Sequence, residues 1–592
     1  MAKRKFQNGY PVKRQKTKPT AVKEGSNEEV LLMDIRHLLS TQILADKSEN
    51  GDASEQNSPK PGPSFSPPER FSDVEVLITE FSSSGDGLGL APTADHVYVV
   101  PFSIPGDLVK AKVINYFPQD RYTLTDFISV IKPAANRNDS LVQCPYFAKC
   151  SGCQFQMLSY EEQLAQKKRI VEKAYQNFSS LPPELIPVIG DTIGSPLQYG
   201  YRTKLTPHFD GPPGTLSRKA RRANAEVKWD GIPPIGFLQK GTRKTVDIED
   251  CPIGTDTVRL GMKQERERVA DEIALFRRGA TLLLRESTKR TPKPKGGLLI
   301  PASSKAEQKS VDIAAERPQT SVNGVIPPKS QPLVQPQESD DKPDLSLPYT
   351  EEKTCITDQN ATSTEFVDNY IFSNPAGSFF QNNNSILSVF TAYIRANILP
   401  PSSTALHNPN STPAPSHSSP TAAPPAEKPI TNLIDAYCGS GLFSITLSPL
   451  FTHTLGIDIA RASINSAHAN ALANDISNAE FISADATALF ASVAFPPDET
   501  VVVIDPPRKG CDEGFLRQLL EYAPRRVVYV SCNVHTQARD VGFLVEGVRG
   551  EEGKEGGRVG ARYEIESLRG FDFFPQTAHV EGVAVLRRVV EG

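Results

Sequence analysis

The sequence lacks any apolar stretch that approaches the ~20 residues a bilayer-spanning helix needs, so we expect a soluble chain without a membrane partner. Its start lacks the pattern of a secretory signal peptide, which predicts a reducing compartment: the nucleus, the cytoplasm or both, with the mitochondrion as an alternative. It also lacks a charge excess, because 65 basic residues face 69 acidic ones and the formal net charge is -4. Any surface for a polyanion must therefore be local.

Cysteine is scarce, with eight residues in 592, and a reducing compartment favours catalytic or metal-binding thiols over disulfides. Cys144, Cys150 and Cys153 form a C-x5-C-x2-C run, and Cys251 follows in DIEDCPIG. Four thiolates suit an iron-sulfur cluster or a structural zinc ion, and we favour the iron-sulfur cluster over zinc or an empty site. The C-x3-C-x2-C spacing of radical enzymes is absent, so we predict a structural role.

Segments with too few apolar residues to bury a core separate the predicted domains. Residues 1–69 begin with a basic run that ends at Lys23 and contains no acid, and they continue as a polar linker. The basic run suits a nuclear-localisation or RNA-contacting tail; a solvated tail and a transit peptide are the alternatives. We predict disordered insertions at 289–348 and 401–428, and a smaller one at 548–560.

Three folded parts remain. Short apolar runs alternate with glycine turns over residues 70–133, which predicts a small β-barrel. Residues 136–400 mix helical and strand patterns, with a charged helix from Ser159, and predict a central α+β domain that contains the four cysteines. In residues 429–592 buried-strand runs alternate with helical segments, which predicts a doubly wound, Rossmann-like α/β sheet.

A glycine turn, DAYCGSG, follows the first strand of this sheet and opens a helix. Gly439 and Gly441 let a cofactor approach bare backbone. Asp458 closes the next strand, where an acid in such folds binds a ribose diol, and Asp485 ends the third strand. A nicotinamide dinucleotide needs G-x-G-x-x-G, and serine stands at the third glycine position, so the pattern favours S-adenosylmethionine. Strand-end capping is the alternative role for Asp485.

A carboxylate and a thiol end two further strands. The fourth strand ends at Asp505 in VIDPPRKG, and the fifth ends at Cys532 in VSCN, so both side chains should lie at the carboxyl edge of the sheet, where α/β proteins bind ligands. A thiol just ahead of a helix loses its proton more easily, which suits a nucleophile. A buried cysteine that acts as a small hydrophobe is the alternative.

The runs DPPRKG, SCNVHTQARD and FFPQTAHVEGVAVL together resemble the RNA uracil-5-methyltransferase family, whose members make 5-methyluridine in transfer and ribosomal RNA. The resemblance covers about residues 432–588. FSNPAGSFFQ, residues 372–381, resembles the family segment that contributes a glutamine to the cofactor site, here Gln381. The barrel resembles the family's TRAM module, which is a barrel of the oligonucleotide-binding type, and the four-cysteine pattern is similar to the one that holds a [4Fe-4S] cluster in bacterial members.

The resemblance implies a mechanism. Cys532 would add to C6 of a uracil flipped out of RNA, which makes C5 nucleophilic toward the methyl group of S-adenosylmethionine. Glu581 would then remove the C5 proton. Asp505 would hold the charged end of the cofactor or the polar edge of the base, and Tyr437 would lie against the cofactor. His579 lies two residues before Glu581, but a lone histidine is more often structural.

The insertions suggest a fungal-type enzyme, and the resemblance implies a monomer that methylates the T-loop uridine of transfer RNA, with ribosomal RNA as the alternative. Two rival functions share these features: an adenine-N6 methyltransferase, which has an acid-Pro-Pro loop and needs no thiol, and an RNA-binding or RNA-folding protein without turnover. Beside the barrel and the basic tail, a basic loop is a candidate phosphate contact; its residues are Arg218, Lys219, Arg221 and Arg222.

Overall fold

The computed structural model describes residues 22–49, 67–92, 95–212, 228–293, 348–400, 428–484, 490, 493–549 and 558–589. The basic tail up to residue 21, the basic loop at 218–222, Asp485 and most of the predicted insertions lie outside the described residues. Within the described part, no helix combines the length and the apolar character that a membrane span requires.

The elements are numbered in chain order. The helices are α1 (Asn27–Glu49), α2 (Tyr160–Phe178), α3 (Asp256–Glu272), α4 (Leu387–Asn397), α5 (Leu442–Leu447), α6 (Arg461–Ala473), α7 (Glu513–Tyr522) and α8 (Val534–Glu546). The strands are β1 (Asp73–Leu77), β2 (Glu80–Phe81), β3 (Gly87–Leu90), β4 (Val97–Val100), β5 (Leu108–Phe117), β6 (Tyr122–Lys132), β7 (Gly190–Ile193), β8 (Lys204–Leu205), β9 (His208–Phe209), β10 (Gly236–Leu238), β11 (Thr245–Asp247), β12 (Ala280–Thr281), β13 (Leu284–Pro292), β14 (Tyr349–Ile356), β15 (Thr362–Val367), β16 (Tyr370–Pro375), β17 (Asn432–Ala436), β18 (His453–Asp458), β19 (Ala479–Ser483), β20 (Thr500–Ile504), β21 (Arg526–Ser531), β22 (Val548–Arg549), β23 (Arg558–Val559), β24 (Arg562–Phe571) and β25 (Glu581–Val589).

The predicted N-terminal β module is confirmed. Strands β1 to β6 form one sheet in the order β1-β5-β6-β4-β3-β2. Alternate residues of β5 point inward, with Val109, Ala111 and Val113 buried, as expected of a strand with one face on a core. The apolar alternation that predicted the module is therefore also what closes its interior.

The prediction that residues 1–69 are disordered was wrong for α1. Leu32, Ile35, Leu38 and Leu39 recur at three- and four-residue spacing and form one buried stripe. The stripe packs on the outside of the β module, against residues that include Leu88. A stripe of this kind stabilises a helix only when a partner surface covers it, and the polar sequence on both sides gave no sign of that surface.

The C-terminal sheet has the predicted doubly wound architecture. Its order is β19-β18-β17-β20-β21-β25-β24-β7. The strands from β19 to β21 run parallel, whereas β25 is antiparallel to both β21 and β24. Helices cover both faces, and two large apolar clusters fill the two layers between helices and sheet.

The predicted boundary between a central domain at 136–400 and a catalytic domain at 429–592 was wrong. Strand β7 pairs with β24 as the outermost strand of the catalytic sheet. Helix α2 packs against α8 and β24, and α4 shares a core with the opposite face of the sheet. Both helices bury apolar faces in the two cores of the catalytic sheet, so these parts of 136–400 are structurally part of the catalytic domain.

The rest of the central region is built from small sheets, β11-β10-β9-β12 and β14-β13-β8, with the hairpin β15-β16. Helix α3 packs on β13 and β14. Strand β13 extends to Pro292 and β14 begins at Tyr349, so the edges of the predicted insertion at 289–348 are strand. The strands β22 and β23 likewise occupy both ends of the predicted insertion at 548–560.

Candidate active site

The strand register brings Cys532 and Glu581 together. In the antiparallel pair of β21 and β25, Ser531 is opposite Gly582. The next step in this register sets residue 532 opposite residue 581. Burial, followed by the carboxyl of Glu581, raises the pKa of the Cys532 thiol, so the two groups interact electrostatically. The thiol and the proposed base therefore lie at the same edge of the sheet, as the resemblance implied.

A cavity of about 780 Å³ opens at this edge. Cys532 and Glu581 line it, and Asp505 and Arg508 enter it from the loop that follows β20. Nearly all the other predicted site residues line the same cavity: Gln381, Tyr437, Gly439, Asp458 and His579. The cavity volume is within the range of sites for small molecules and cofactors.

The glycine turn lies against the end of β18. The backbone N–H of Gly439 donates to Asp458 Oδ2 at 3.0 Å, and the N–H of Ala460 donates to Oδ1 at 2.7 Å. Gly439 has φ +56 and no atom within 4 Å of where a Cβ would be, so its backbone faces open space. Gly441, with φ +92, begins α5, and a Cβ there would lie 3.2 Å from Ile445. One glycine therefore opens the cavity and the other permits close packing.

Asp435 fixes this turn from below. It lies in β17 and is fully buried, and its Oδ2 accepts from the Ser444 backbone N–H at 2.8 Å and from the Ser444 hydroxyl at 2.6 Å. Its Oδ1 is buried without a hydrogen-bond partner. Burial, reinforced by Asp458, raises the pKa of Asp435 to about 7, although the bonds from Ser444 act in the opposite direction.

Tyr437 and Gln381 both line the cavity. Tyr437 has φ +65, an uncommon conformation for a bulky residue, and its ring packs at 5.4 Å from the ring of Phe515. Gln381 is buried and follows the segment after β16. Both residues line the cavity that contains Gly439 of the glycine turn.

The thiol differs from the expectation that a nearby helix start would favour its ionised form. Burial and the carboxyls of Glu581 and Asp505 raise the pKa of Cys532 to about 12, and only Arg508 lowers it. Helix α8 begins two residues later, and the side chain of Asn533 caps it by accepting from the His535 N–H at 3.2 Å. Desolvation and like charge therefore outweigh the helix terminus.

The two carboxyls of the cavity are also shifted. Burial and then Asp505 raise the pKa of Glu581 well above the ordinary glutamate value, while Arg508 opposes the shift. Burial and then Asp435 raise the pKa of Asp505 to about 7. Glu581 is 2% exposed, so its burial disfavours the ionised form. Once ionised, such a carboxylate is a stronger base than one in water.

His579 faces the cavity, but its surroundings disfavour a proton on the ring. Burial of its ring nitrogens, together with Arg508 and Lys167, lowers the pKa of His579 to about 4. The ring lies 6.0 Å from that of Phe574. At neutral pH the imidazole is therefore uncharged, and it adds no positive charge beside the thiol.

The four cysteines of the predicted metal site converge but do not form a metal-binding group. Burial, followed by Cys150 and Cys144, raises the pKa of Cys251 to about 12, and Cys251 in turn raises that of Cys153. Among the described residues, however, no set of three or more His, Cys, Asp or Glu side chains is arranged to hold a metal ion. The predicted iron-sulfur cluster is therefore not supported by the geometry.

Arg508 belongs to the DPPRKG motif, from which no role was predicted for it. Its side chain hydrogen-bonds the Cys532 thiol and lowers the pKa of that group. Arg202, Asn382 and Phe379 also line the cavity and were missed. Phe379 lies next to Phe380 in the predicted glutamine segment and is 76% exposed. The motifs were the signal for Arg508, Asn382 and Phe379, which lie within three positions of a predicted residue, whereas no motif pointed to Arg202.

Comparison with known proteins agrees with this site. The tRNA (Uracil-5-)-methyltransferase family profile matches residues 422–589, and the TRAM domain profile matches residues 67–119. A Schizosaccharomyces pombe protein named tRNA (uracil(54)-C(5))-methyltransferase is 41% identical over 580 residues, which cover 98% of this chain and 86% of the relative. A Saccharomyces cerevisiae protein of the same name is 37% identical over 534 residues, covering 87% and 73%.

A solved structure shares the fold. The Pyrococcus abyssi tRNA (uracil-54, C5)-methyltransferase in complex with S-adenosyl-L-homocysteine is similar with a TM-score of 0.51 and 20% identity, covering 87% of this chain and 100% of that one. The two yeast relatives extend the similarity over most of the length of both chains. With the thiol, the carboxyl and the glycine turn around one cavity, the chain belongs to the tRNA (uracil-5-)-methyltransferase family.

Proposed function

We propose that this protein transfers a methyl group from S-adenosylmethionine to C5 of uridine 54 in transfer RNA. The observation that carries the proposal is the register of β21 and β25, which sets Cys532 opposite Glu581 at the mouth of the cavity that contains the glycine turn. The names of the two yeast relatives support the target position. Neither a nucleophile nor a base would be needed here by a protein that only binds RNA.

The cofactor site fits the residues present. Gly439 leaves open the volume that a Cβ would fill, and the Asp458 carboxylate at the strand end has lone pairs left for a ribose diol. Tyr437 and Gln381 offer an aromatic face and an amide to the same volume. When bound, S-adenosylmethionine supplies an electrophilic methyl group on a sulfonium.

The protein side of the reaction needs two proton movements. The Cys532 thiol releases its proton to solvent, and the thiolate adds to C6 of uracil, which forms a carbon-sulfur bond and moves the C5–C6 electron pair to C5. After C5 is methylated, the Glu581 carboxylate accepts the C5 proton, the C5=C6 bond re-forms and the thiolate leaves. Arg508 is the cation that contacts the sulfur, so it stabilises the thiolate at both ends of this sequence.

The uridine must leave its stack to reach the cavity, because C6 is inaccessible inside a folded loop. The β module of residues 73–132 matches the TRAM profile over its first part. We propose that this module and the basic segments at 1–23 and 218–222 contact the phosphates of transfer RNA.

The test is covalent trapping. Transfer RNA that contains 5-fluorouridine at position 54 should form a stable adduct with the wild-type protein, because fluorine blocks the removal of a proton from C5. A Cys532→Ala variant should form no adduct and no 5-methyluridine, whereas the matched control Cys355→Ala, in β14 away from the cavity, should do both. Adduct formation by Cys532→Ala would refute the assignment of the nucleophile.

The same assay separates the rival functions. Methylation of adenine N6 needs no thiol, so Cys532→Ala would retain that activity. If the protein only folds RNA, cells that express Cys532→Ala should function normally although their RNA lacks 5-methyluridine. Parallel reactions with transfer and ribosomal RNA, read by nucleoside mass spectrometry, decide the substrate.

The metal prediction needs its own test. Only the convergence of the four thiols supports an iron-sulfur cluster, together with an N–H from Gly152 that donates to Cys150 Sγ at 3.4 Å. If such a cluster exists, protein purified without oxygen should contain iron and sulfide in equal amounts, and Cys153→Ser should lose both. Zinc, or no metal, in that preparation would end the prediction.

A further inference from the structure

The N-terminal segment reaches the loops that form the active site. Immediately before α1, the carbonyl of Gly25 accepts from the side-chain amide of Asn533 at 3.3 Å, and Asn533 is the residue after Cys532. The same amide donates to the carbonyl of Arg508 at 2.9 Å. Glu24 forms an ion pair of 2.9 Å with Arg539 in α8. A segment predicted to be disordered therefore contacts both catalytic loops.

These contacts are close-fitting at Gly25. Gly25 has φ +70, and a Cβ built there would lie 2.6 Å from Cγ2 of Thr536. The Thr536 hydroxyl donates to the carbonyl of Arg508 at 3.1 Å. A side chain at position 25 must therefore shift the side chain of Thr536, whose hydroxyl holds the carbonyl of Arg508, the residue whose side chain contacts the Cys532 thiol.

The segment is held at its other end by the TRAM module. Ser26 precedes α1 and accepts from the Glu29 N–H at 3.3 Å, while Glu29 Oε2 accepts from the Gly25 N–H at 2.6 Å. Further along, the buried Asp34 accepts from the backbone N–H and the hydroxyl of Ser83 at 2.7 and 3.0 Å. The turn at 23–26 is thus fixed by helix capping and by the β module together.

The outer face of the catalytic loop is fixed by Arg539. Its guanidinium donates to the carbonyls of Lys509 and Cys511 at 3.1 and 3.3 Å and pairs with Asp540. The ion pair with Glu24 joins this network. The loop that carries Asp505 and Arg508 is therefore bounded by α8 on one side and by the N-terminal segment on the other.

We propose that residues Glu24 and Gly25 are positioning residues that hold the Arg508 loop and the first turn of α8 in the geometry the Cys532 nucleophile requires. The proposal rests on the proposed function, and it adds a part of the chain that precedes the TRAM module to the active site. Through α1, the same contacts couple the position of that module to the position of the nucleophile.

The test compares two glycine variants in the full-length protein. Gly25→Ala and the matched control Gly231→Ala both put an alanine at a positive φ, of +70 and +90, but position 231 has no atom within 4 Å of the new Cβ. We expect Gly25→Ala to slow adduct formation with 5-fluorouridine transfer RNA by roughly 10- to 100-fold at saturating RNA, as displacement of reacting groups does. Gly231→Ala should match the wild type.

A second measurement distinguishes positioning from loss of stability. Alkylation of the Cys532 peptide by iodoacetamide, followed by mass spectrometry over a range of pH, reports the thiol directly and does not depend on the methyltransferase reaction. Arg508 lowers the pKa of Cys532, whereas Glu581 and Asp505, the other charged groups that act on the thiol, raise it. A displaced Arg508 should therefore shift the alkylation profile of Gly25→Ala to higher pH.

The outcomes are separable. If Gly25→Ala has the adduct rate and the alkylation profile of Gly231→Ala, the proposed positioning role is refuted. If the wild type forms no adduct but Gly25→Ala still shifts the alkylation profile, the proposed function fails and the positioning contact stands. If Gly25→Ala does not fold, Glu24→Gln replaces it, because this substitution removes only the charge that faces Arg539. Glu24→Gln should show a slower adduct rate and a shifted alkylation profile, both smaller than those expected for Gly25→Ala. If Glu24→Gln agrees with the wild type in both measurements, the positioning role is refuted.

Discussion

Asparagine at position 435 should stabilise the protein at neutral pH. Asp435 is fully buried beneath the glycine turn, and burial raises its pKa from 3.8 to about 7. Asparagine has the same shape, keeps an acceptor for the Ser444 N–H and does not ionise. The substitution therefore removes an ionisation that the unfolded chain undergoes freely and the folded chain resists.

The magnitude follows from linkage. The folded protein keeps its proton up to about pH 7, whereas the unfolded chain loses it near pH 4, so wild-type stability falls as pH rises between these values. A shift of about three units at ~1.4 kcal/mol each corresponds to roughly 4 kcal/mol above pH 7. Below pH 4 both states of the wild type are protonated, so wild type and Asp435→Asn should be equally stable there.

Urea denaturation of both proteins at pH 4.5 and pH 8, followed by tryptophan and far-ultraviolet signals, measures the difference. We expect Asp435→Asn to have the higher midpoint at pH 8, with an advantage that shrinks to about 1 kcal/mol at pH 4.5, where the unfolded chain is only beginning to gain from ionisation. A variant that is less stable at pH 8, or one whose advantage is equal at both pH values, would refute the reasoning, because the effect would then come from packing rather than ionisation.

Three further outcomes follow from the site. Glu581→Gln should fold normally and accumulate the covalent complex with ordinary transfer RNA, visible on a denaturing gel, with turnover lower by ~100- to 10,000-fold; normal turnover would exclude Glu581 as the base. Lys167→Met should lower the free energy of unfolding, measured by urea denaturation, by about 3–5 kcal/mol, because it leaves Asp572 buried without its cation. The control Lys168→Met breaks an exposed ion pair and should lower it by under ~1 kcal/mol. Equal losses in the two variants would contradict this prediction. Between pH 6 and pH 8, the affinity for S-adenosylmethionine, measured by calorimetry, should rise more steeply than the affinity for S-adenosylhomocysteine. Only S-adenosylmethionine carries a sulfonium that can pair with Asp505 as this carboxyl ionises. Parallel pH profiles for the two ligands would contradict the prediction.

The parallel part of the site was predictable from the sequence. The glycine turn, Asp458, Asp505 and Cys532 each follow a buried parallel strand, and the carboxyl ends of such strands share one edge of the sheet. Glu581 is different, because it begins an antiparallel strand. Its position opposite the thiol depends on a pairing between distant segments, so only the family resemblance pointed to it.

The errors share one physical cause, which is contact between parts of the chain that are distant in sequence. Helix α1 is stable because the β module covers its apolar stripe, and α2 joins the catalytic core because its buried face, with Ile170 and Val171, has α8 and β24 to pack against. The thiol pKa was misjudged in the same way. The local helix start was visible in the sequence, but the burial and the two carboxyls that outweigh it were not.

Three buried carboxyls at the cavity edge of the sheet lower the stability of the folded protein, although the site needs them there. Asp435, Asp505 and Glu581 all have raised pKa values, mainly because they are buried, and all lie at or below the edge of the sheet that forms the cavity. Each lowers the stability of the folded protein at neutral pH, since the unfolded chain ionises freely. The Lys167–Asp572 pair and the contacts of Lys167 with the Phe574 carbonyl fix the segment that leads to Glu581. The polar contacts of Lys167 in α2 therefore stabilise the segment that leads to a carboxyl whose ionised form the surrounding core disfavours.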